Sequence, residues 1–209
     1  MIGSPGTLCI AFQGSVQLAA GPLVSVADAV KVASERDPQA NILIFDDLSS
    51  HPIEVDLRGS RAEVAERIGR QGLPDGAEET PVAPELEPLR GPGRPKLGVV
   101  AREITLLPRH WEWLGKQPGG ASVALRKLVE EARKVNELKD RARAAQEAAY
   151  RFMSAMAGNQ PGFEEATRAF FANNSERFEQ LTQGWPRDVR AHALVLASRA
   201  TGEGTYAAV

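Results

Sequence analysis

"GRPKLGVVAREITLLPRHWEWLGKQPGGASVALRKLVEEARK", residues Gly93–Lys134, is the stretch on which the reading of the whole chain turns. It opens as a basic Gly/Pro segment and passes into "VAREITLLP", where Ile104 and Leu106 fall on one face and Glu103 and Thr105 on the other. That period of two predicts a strand ending at Pro108. Proline suits the first turn of a helix, so "PRHWEWLGKQ" is expected to be a short helix in which Trp111 and Leu114 share a face. "PGGAS" stops that helix and starts another, with Ser122 placed as its N-cap and the exposed N–H groups of its first turn able to hold a phosphate. "SVALRKLVEEARK" then offers Val123, Leu125, Leu128, Val129 and Ala132 for burial and leaves Arg126, Lys127, Arg133 and Lys134 outside.

The charge of the chain separates this stretch from its surroundings. The 209 residues sum to −2 at neutral pH. Residues 1–93 carry 7 Lys/Arg against 14 Asp/Glu, residues 94–143 carry 12 against 6, and residues 144–209 carry 6 against 7. A basic block inside an acidic protein points to a polyanionic partner, whereas solvated helix faces would account for the same residues without one.

Upstream, residues 7–70 read as a small α/β unit. "TLCIAFQGSVQLAAGPL" holds two apolar runs about Gly14-Ser15, a hairpin pattern. "SVADAVKVASERDP" predicts a helix capped by Ser25, with Val26, Ala29, Val30 and Ala33 on one face. "NILIFDD" and "IEVDLRG" predict two further strands, and "SRAEVAERIGRQG" a helix opened by a Ser60/Glu63 capping box and stopped at Gly69 or Gly72. The expected order is ββαββα. Residues 71–93, rich in Pro, Gly and Glu, have the composition of a linker.

Downstream of Ser122 the pattern is helical almost to the end. Val135, Leu138, Ala142, Ala145, Ala149, Phe152 and Met156 recur at alternating spacings of three and four, a stripe suited to packing along another helix. Whether residues 122–157 form one helix or two is left open by the pattern. After "GNQPG", three short helices are expected, with Ser175 as a cap, Pro186 in a first turn, and Phe163, Phe170, Phe171, Phe178, Leu181 and Trp185 in the core. "TGEGTYAAV" reads as a loose tail.

Chemistry-bearing residues are sparse. Asp46 and Asp47 follow a predicted strand, with His51, Glu54 and Asp56 nearby, which would suit a cation or an acid/base pair. In a tight turn the same carboxylates are ordinary turn residues. His51, His110 and His192 lack metal-ligand spacing, and no phosphate loop or nucleophile elbow is present. Cys9, the one cysteine, lies in an apolar run as a buried structural thiol. No cofactor and no metal is expected. The N-terminus lacks a basic region followed by an apolar run, and no segment nears the roughly 18 apolar residues of a membrane span, so a cytoplasmic protein is expected.

Strand, proline, short helix, glycine turn and basic helix in that order resemble the ribbon-helix-helix DNA-binding fold, with "ITLLP", "WEWL", "GGAS" and "ALRKLVEEA" in its successive slots. The resemblance implies a homodimer whose paired strands enter the major groove of duplex DNA, with Ala101, Glu103 and Thr105 facing bases. It also implies a phosphate clamp at Gly120, Ala121 and Ser122. Thr105 is a comfortable reader of base edges, whereas Glu103 would repel phosphate unless it accepts from a cytosine amino group. "GRPK" is similar to AT-hook-like segments that lie in a narrow minor groove, which adds Arg94 and Lys96 as DNA contacts. Arg102, Arg126 and Lys127 complete the candidate DNA-binding set as nearby cations. Trp111 and Trp113 are read as packing residues before stacking platforms.

Across nearly its whole length the chain also resembles the uncharacterised bacterial domain-of-unknown-function family 2239, in "GPLVSVADAVKVAS", "LIFDD", "DLRG", "GRPKLGVVAREITLLPRHWEWL", "PGGASVALRKLVEEARK" and "AAYRFMSAMAG". That family implies no activity. The expected architecture is therefore α+β. It comprises a small α/β domain at 1–70, a linker at 71–93, a ribbon-helix-helix-like module at 94–134 and a helical region at 135–209. The expected function is DNA binding by a dimeric transcriptional regulator, with the N-terminal unit sensing a small ligand or a protein. A dimerisation protein that binds no DNA is the alternative, and a metal-dependent hydrolase at Asp46, Asp47 and His51 is the third class.

Overall fold

A computed structural model of the chain describes residues 6–71, 100 and 102–202. Two compact units are present, one drawn from Met1–Pro74 and Glu137–Val209, the other from Asp75–Asn136.

The first unit is organised by the apolar run around Cys9. Strand β1 (Leu8–Gln13) turns at Gly14 (φ 59°) into β2 (Val16–Pro22), and β3 (Ile42–Asp46) pairs on the other side, giving an antiparallel sheet of order β2-β1-β3. Alternate side chains of a strand point to opposite faces, so four consecutive buried residues, Cys9 to Phe12, require cover on both. Cys9 and Ala11 face α1 (Leu23–Arg36) and α2 (Arg61–Gln71), packing with Ile44, Leu23, Val26, Val30, Val64 and Ile68. Ile10 and Phe12 face the other way, onto Phe45 and the C-terminal helices. The register makes this possible, since Ile10 lies opposite Phe45 and Ala11 opposite Ile44.

Those helices are the end of α4 (Gly120–Ala157), α5 (Phe163–Phe171), α6 (Ser175–Leu181) and α7 (Arg187–Thr201). With Trp185, which lies between α6 and α7, they bring Phe152, Met153, Phe170, Phe178, Val189 and Leu196 into one core cluster with Ile10, Phe12 and Phe45. Phe152 has its ring centroid 5.4 Å from Phe12 and 5.5 Å from Phe45, both at inclined or edge-on angles favoured by aromatic quadrupoles.

Several expectations are corrected here. "IEVDLRG" forms no strand: beyond β3 only a bridge between Phe45 and Pro52 continues the pairing. Arg67 donates to the carbonyls of Asp56 and Arg58, and the Asp56 carboxylate accepts from the Arg58 amide and guanidinium. Side chains thus take the groups that a ladder would need. The N-terminal order is ββαβα. Helix α1 starts at Leu23, whose N–H bonds the Thr7 carbonyl, and Ser25 lies inside it without capping. The Ser60/Glu63 capping box forms, with Ser60 N–H donating to Glu63 Oε2 at 2.6 Å and Glu63 N–H to Ser60 Oγ at 3.3 Å. Gly69 is inside α2 and does not stop it, and Gly72 lies outside the described residues. Asn174 rather than Ser175 caps α6, accepting from Arg177 N–H, and Pro186 is the N-cap residue of α7. Phe171 is 50% exposed and packs on Tyr150, because its neighbour Phe170 holds the inward face of α5. Cys9 is 1% exposed, and burial pushes its thiol up to about 11. Among the described residues no helix is long and apolar enough to cross a membrane.

The second unit contains α3 (Pro108–Gly115) and the start of α4. Helix α4 is one continuous element of 38 residues. Residues 71–93, for which a linker is expected, fall outside the described residues apart from Gln71, as does the tail beyond Gly202.

Candidate nucleic-acid interface

Residues 102–107 join no sheet and form no helix, so the predicted strand is not made within one chain. Leu107 is extended (φ −65°, ψ 149°) and its carbonyl accepts from His110 N–H at 2.8 Å, which starts α3 with Pro108 in its first turn. Leu114 is the residue α3 buries, at 2% exposure. The helix closes with Gln117, whose backbone and side-chain amides donate to the carbonyls of Leu114 and Trp113.

The turn that follows needs glycine twice. Gly119 and Gly120 have φ of 84° and 75°, a region L side chains rarely enter, and a Cβ on Gly119 would sit 3.1 Å from Val123. Helix α4 begins at Gly120, so Ser122 lies in its first turn and is not the N-cap. Its carbonyl accepts from Arg126 Nε at 3.2 Å.

Of the candidate DNA-binding set, Arg102, Glu103, Thr105, Ser122, Arg126 and Lys127 are exposed, while Gly120 and Ala121 are half-buried. Arg94, Lys96 and Ala101 lie outside the described residues. Glu130 pairs with Arg133 and Asp140 with Arg143, and Glu137 pairs with Arg141. Arg102, Arg126, Lys127, Lys134 and Lys139 make no ion pair among the described residues.

Among its described residues the unit has few buried side chains. From Arg102 to Asn136 only Leu114 and Ala124 are buried, at 2% and 8% exposure. Ile104, Leu107, Trp113 and Val129 are 49%, 49%, 51% and 56% exposed.

The turn after β3 uses its carboxylates differently from a cation or acid/base site. Asp46 Oδ1 accepts from Leu48 N–H, Ser49 N–H and Ser49 Oγ, which holds the turn as an Asx-type bend. Arg199 donates to the Asp47 carbonyl at 2.7 Å and pairs with its carboxylate at 3.0 Å, while Arg151 donates to the Ser49 carbonyl. Neither arginine carries a sequence signal for this role, because each lies more than a hundred residues from its partner. Ser50 adopts φ 52° with its hydroxyl buried and unpartnered. His192, 7% exposed, stacks edge-on against Phe152 at 4.6 Å, and its Nε2 is buried without a partner. Desolvation lowers its imidazole to about 4, against the opposing charge of Asp47. No group of three or more His, Cys, Asp or Glu side chains is placed to hold a metal among the described residues.

A family model described as an uncharacterized protein conserved in bacteria, domain of unknown function 2239, matches residues 8–197. No curated protein and no solved structure matches the chain.

Proposed function

The chain belongs to this bacterial family of unknown function, and we propose that it is a cytoplasmic, dimeric DNA-binding regulator of the ribbon-helix-helix type. One observation carries the reading. The Asp75–Asn136 unit leaves Ile104, Trp113 and Val129 about half exposed, with residues 102–107 in no sheet. A strand with free backbone groups and an uncovered apolar face is what a strand-sharing dimer has before its second copy arrives. Two copies would pair residues 102–107 as an antiparallel ribbon and cover that face.

In such a dimer Thr105 and Glu103 of each copy look out from the ribbon towards base edges, with Arg102 beside the backbone. Gly120, Ala121 and Ser122 offer N–H groups of the α4 start to phosphate, and Arg126 and Lys127 add charge. Arg94 and Lys96 would extend the contact along the backbone or minor groove. The first unit would then serve as the sensing or interaction part, taking a small ligand or a protein.

Sedimentation and a titration against duplex DNA at several salt concentrations test this. A dimer is expected, with affinity whose logarithm falls by about 0.9 per log unit of salt for each phosphate neutralised. A monomer that binds no DNA, or binding indifferent to salt, overturns it. The exposed carboxylate of Glu103 on the would-be ribbon favours a second reading, a dimerisation protein without DNA contact. A dimer that binds no duplex at any salt concentration is its expected signature.

A further inference from the structure

Helix α4 carries a seam that its own chain covers only in part. Leu128, Val135, Ala142, Ala149 and Met156 are spaced by seven, with Leu138, Ala145 and Phe152 interleaved and Glu131 the one charged residue in the same series. Ala149 and Phe152 are fully buried, whereas Leu128, Val135 and Leu138 are 43%, 73% and 78% exposed. An apolar stripe repeating every 3.5 residues is the narrow kind that meets another helix, narrower than the face of a helix lying on a membrane.

Three cations without an ion pair flank this seam. Lys127, Lys134 and Lys139 occupy the flanking heptad positions and make no ion pair among the described residues. The acidic residues Glu130, Glu137 and Asp140 are engaged by Arg133, Arg141 and Arg143. A second copy in parallel register would set these lysines against each other and Glu131 against Glu131 within the seam, both repulsive. Duplex DNA would leave Val135 and Leu138 without apolar contact. We infer that residues 127–139 of α4 form a docking surface for an acidic amphipathic helix of a partner protein, with aliphatic residues at its own seam and Asp or Glu at its flanks. This surface shares Lys127 and Val129 with the DNA-binding reading, but it rests on Val135 and Leu138, which that reading does not use.

The test uses the full chain and two fluorescent four-heptad peptides, each with Leu at the seam and either Glu or Lys at all flanking positions. The acidic peptide is expected to bind, and the basic one at least about tenfold more weakly. Val135→Asp with Leu138→Asp should weaken the acidic peptide by about tenfold or more, with circular dichroism and melting unchanged. Equal binding of the two peptides, no binding of either, or a double variant that binds like the parent overturns the proposal. So does self-association that the double variant abolishes, which would make a second copy the occupant. Preference for phosphatidylserine-containing vesicles over the acidic peptide would likewise overturn it.

Discussion

In the sheet-bearing unit Phe12, Phe45 and Phe152 are at most 2% exposed and their rings touch, while in the Asp75–Asn136 unit Ile104, Leu107 and Trp113 are 49%, 49% and 51% exposed. Both segments have apolar residues at regular spacing. In the first, the sheet has one face served by α1 and α2 and the other by helices from the far end of the sequence, so the pattern is satisfied within one chain. In the second, one short helix and the start of another bury two side chains between them. Periodicity states that a face needs cover and is silent on whether that cover lies in the same molecule.

The sharpest way to break this contrast is to truncate one aromatic in each unit. Phe152→Ala opens a cavity between both faces of the aromatic cluster and should cost about 3–5 kcal/mol, read by urea denaturation with far-ultraviolet circular dichroism. A loss under about 1 kcal/mol would mean that the sheet and the C-terminal helices do not share a core.

The next effect is a pH dependence confined to the first unit. His192 is held neutral, at about 4 in the fold against an ordinary value near 6.5. The unfolded chain takes up its proton near pH 6.5 and the folded chain only near 4. The stability it contributes is therefore complete above pH 6.5 and lost as pH falls towards 4, by about 3 kcal/mol. His192→Phe should flatten that slope in urea melts run from pH 7 to 4. A variant with the parent's slope would place the titration elsewhere.

Smaller, and of opposite sign, is Ser50→Gly. It relieves a left-handed backbone at φ 52° and removes a buried hydroxyl with no partner. A gain of about 1 kcal/mol in the same melts is expected, and a loss would point to a hydrogen bond made by that hydroxyl. Least of all in stability is Trp113→Ala, expected within about 0.5 kcal/mol of the parent at protein concentrations where the chain is monomeric. Its effect should fall on self-association, as a lower dimer fraction in sedimentation. A large loss of monomer stability would show that the second unit relies on a core of its own.

Local chemistry was legible where it had no competitor. The Gly14 hairpin, the β3 strand, the Ser60/Glu63 box and the Pro108 helix start each depend on residues within a few positions of one another. The misses share one cause. "IEVDLRG" alternates like a strand, yet Arg67 of α2 takes its carbonyls. Ser175 is a good cap, yet it is the first helical residue, and the equally good Asn174 just before it takes the cap. Asp46 and Asp47 read as a possible reactive pair until Arg151 and Arg199 arrive from α4 and α7 to hold their turn. For the candidate interface the Pro108 helix start and the exposed cations follow from the pattern, but Leu128, Val129 and Ala132, read as buried, are exposed, α4 begins two residues before Ser122, and residues 102–107 join no sheet.

The sequence by itself determined the family, the helix and hairpin starts, the burial of Cys9 and the segregation of positive charge into residues 94–143. Each of these follows from side-chain type and short-range spacing, which set backbone preference and the local need for cover. Only the tertiary structure decided that Ile10 and Phe12 meet Phe152 rather than solvent, that α4 runs unbroken for 38 residues, and that Val135 and Leu138 are left bare on it. Burial is a property of pairs of surfaces, and a linear pattern specifies one member of each pair.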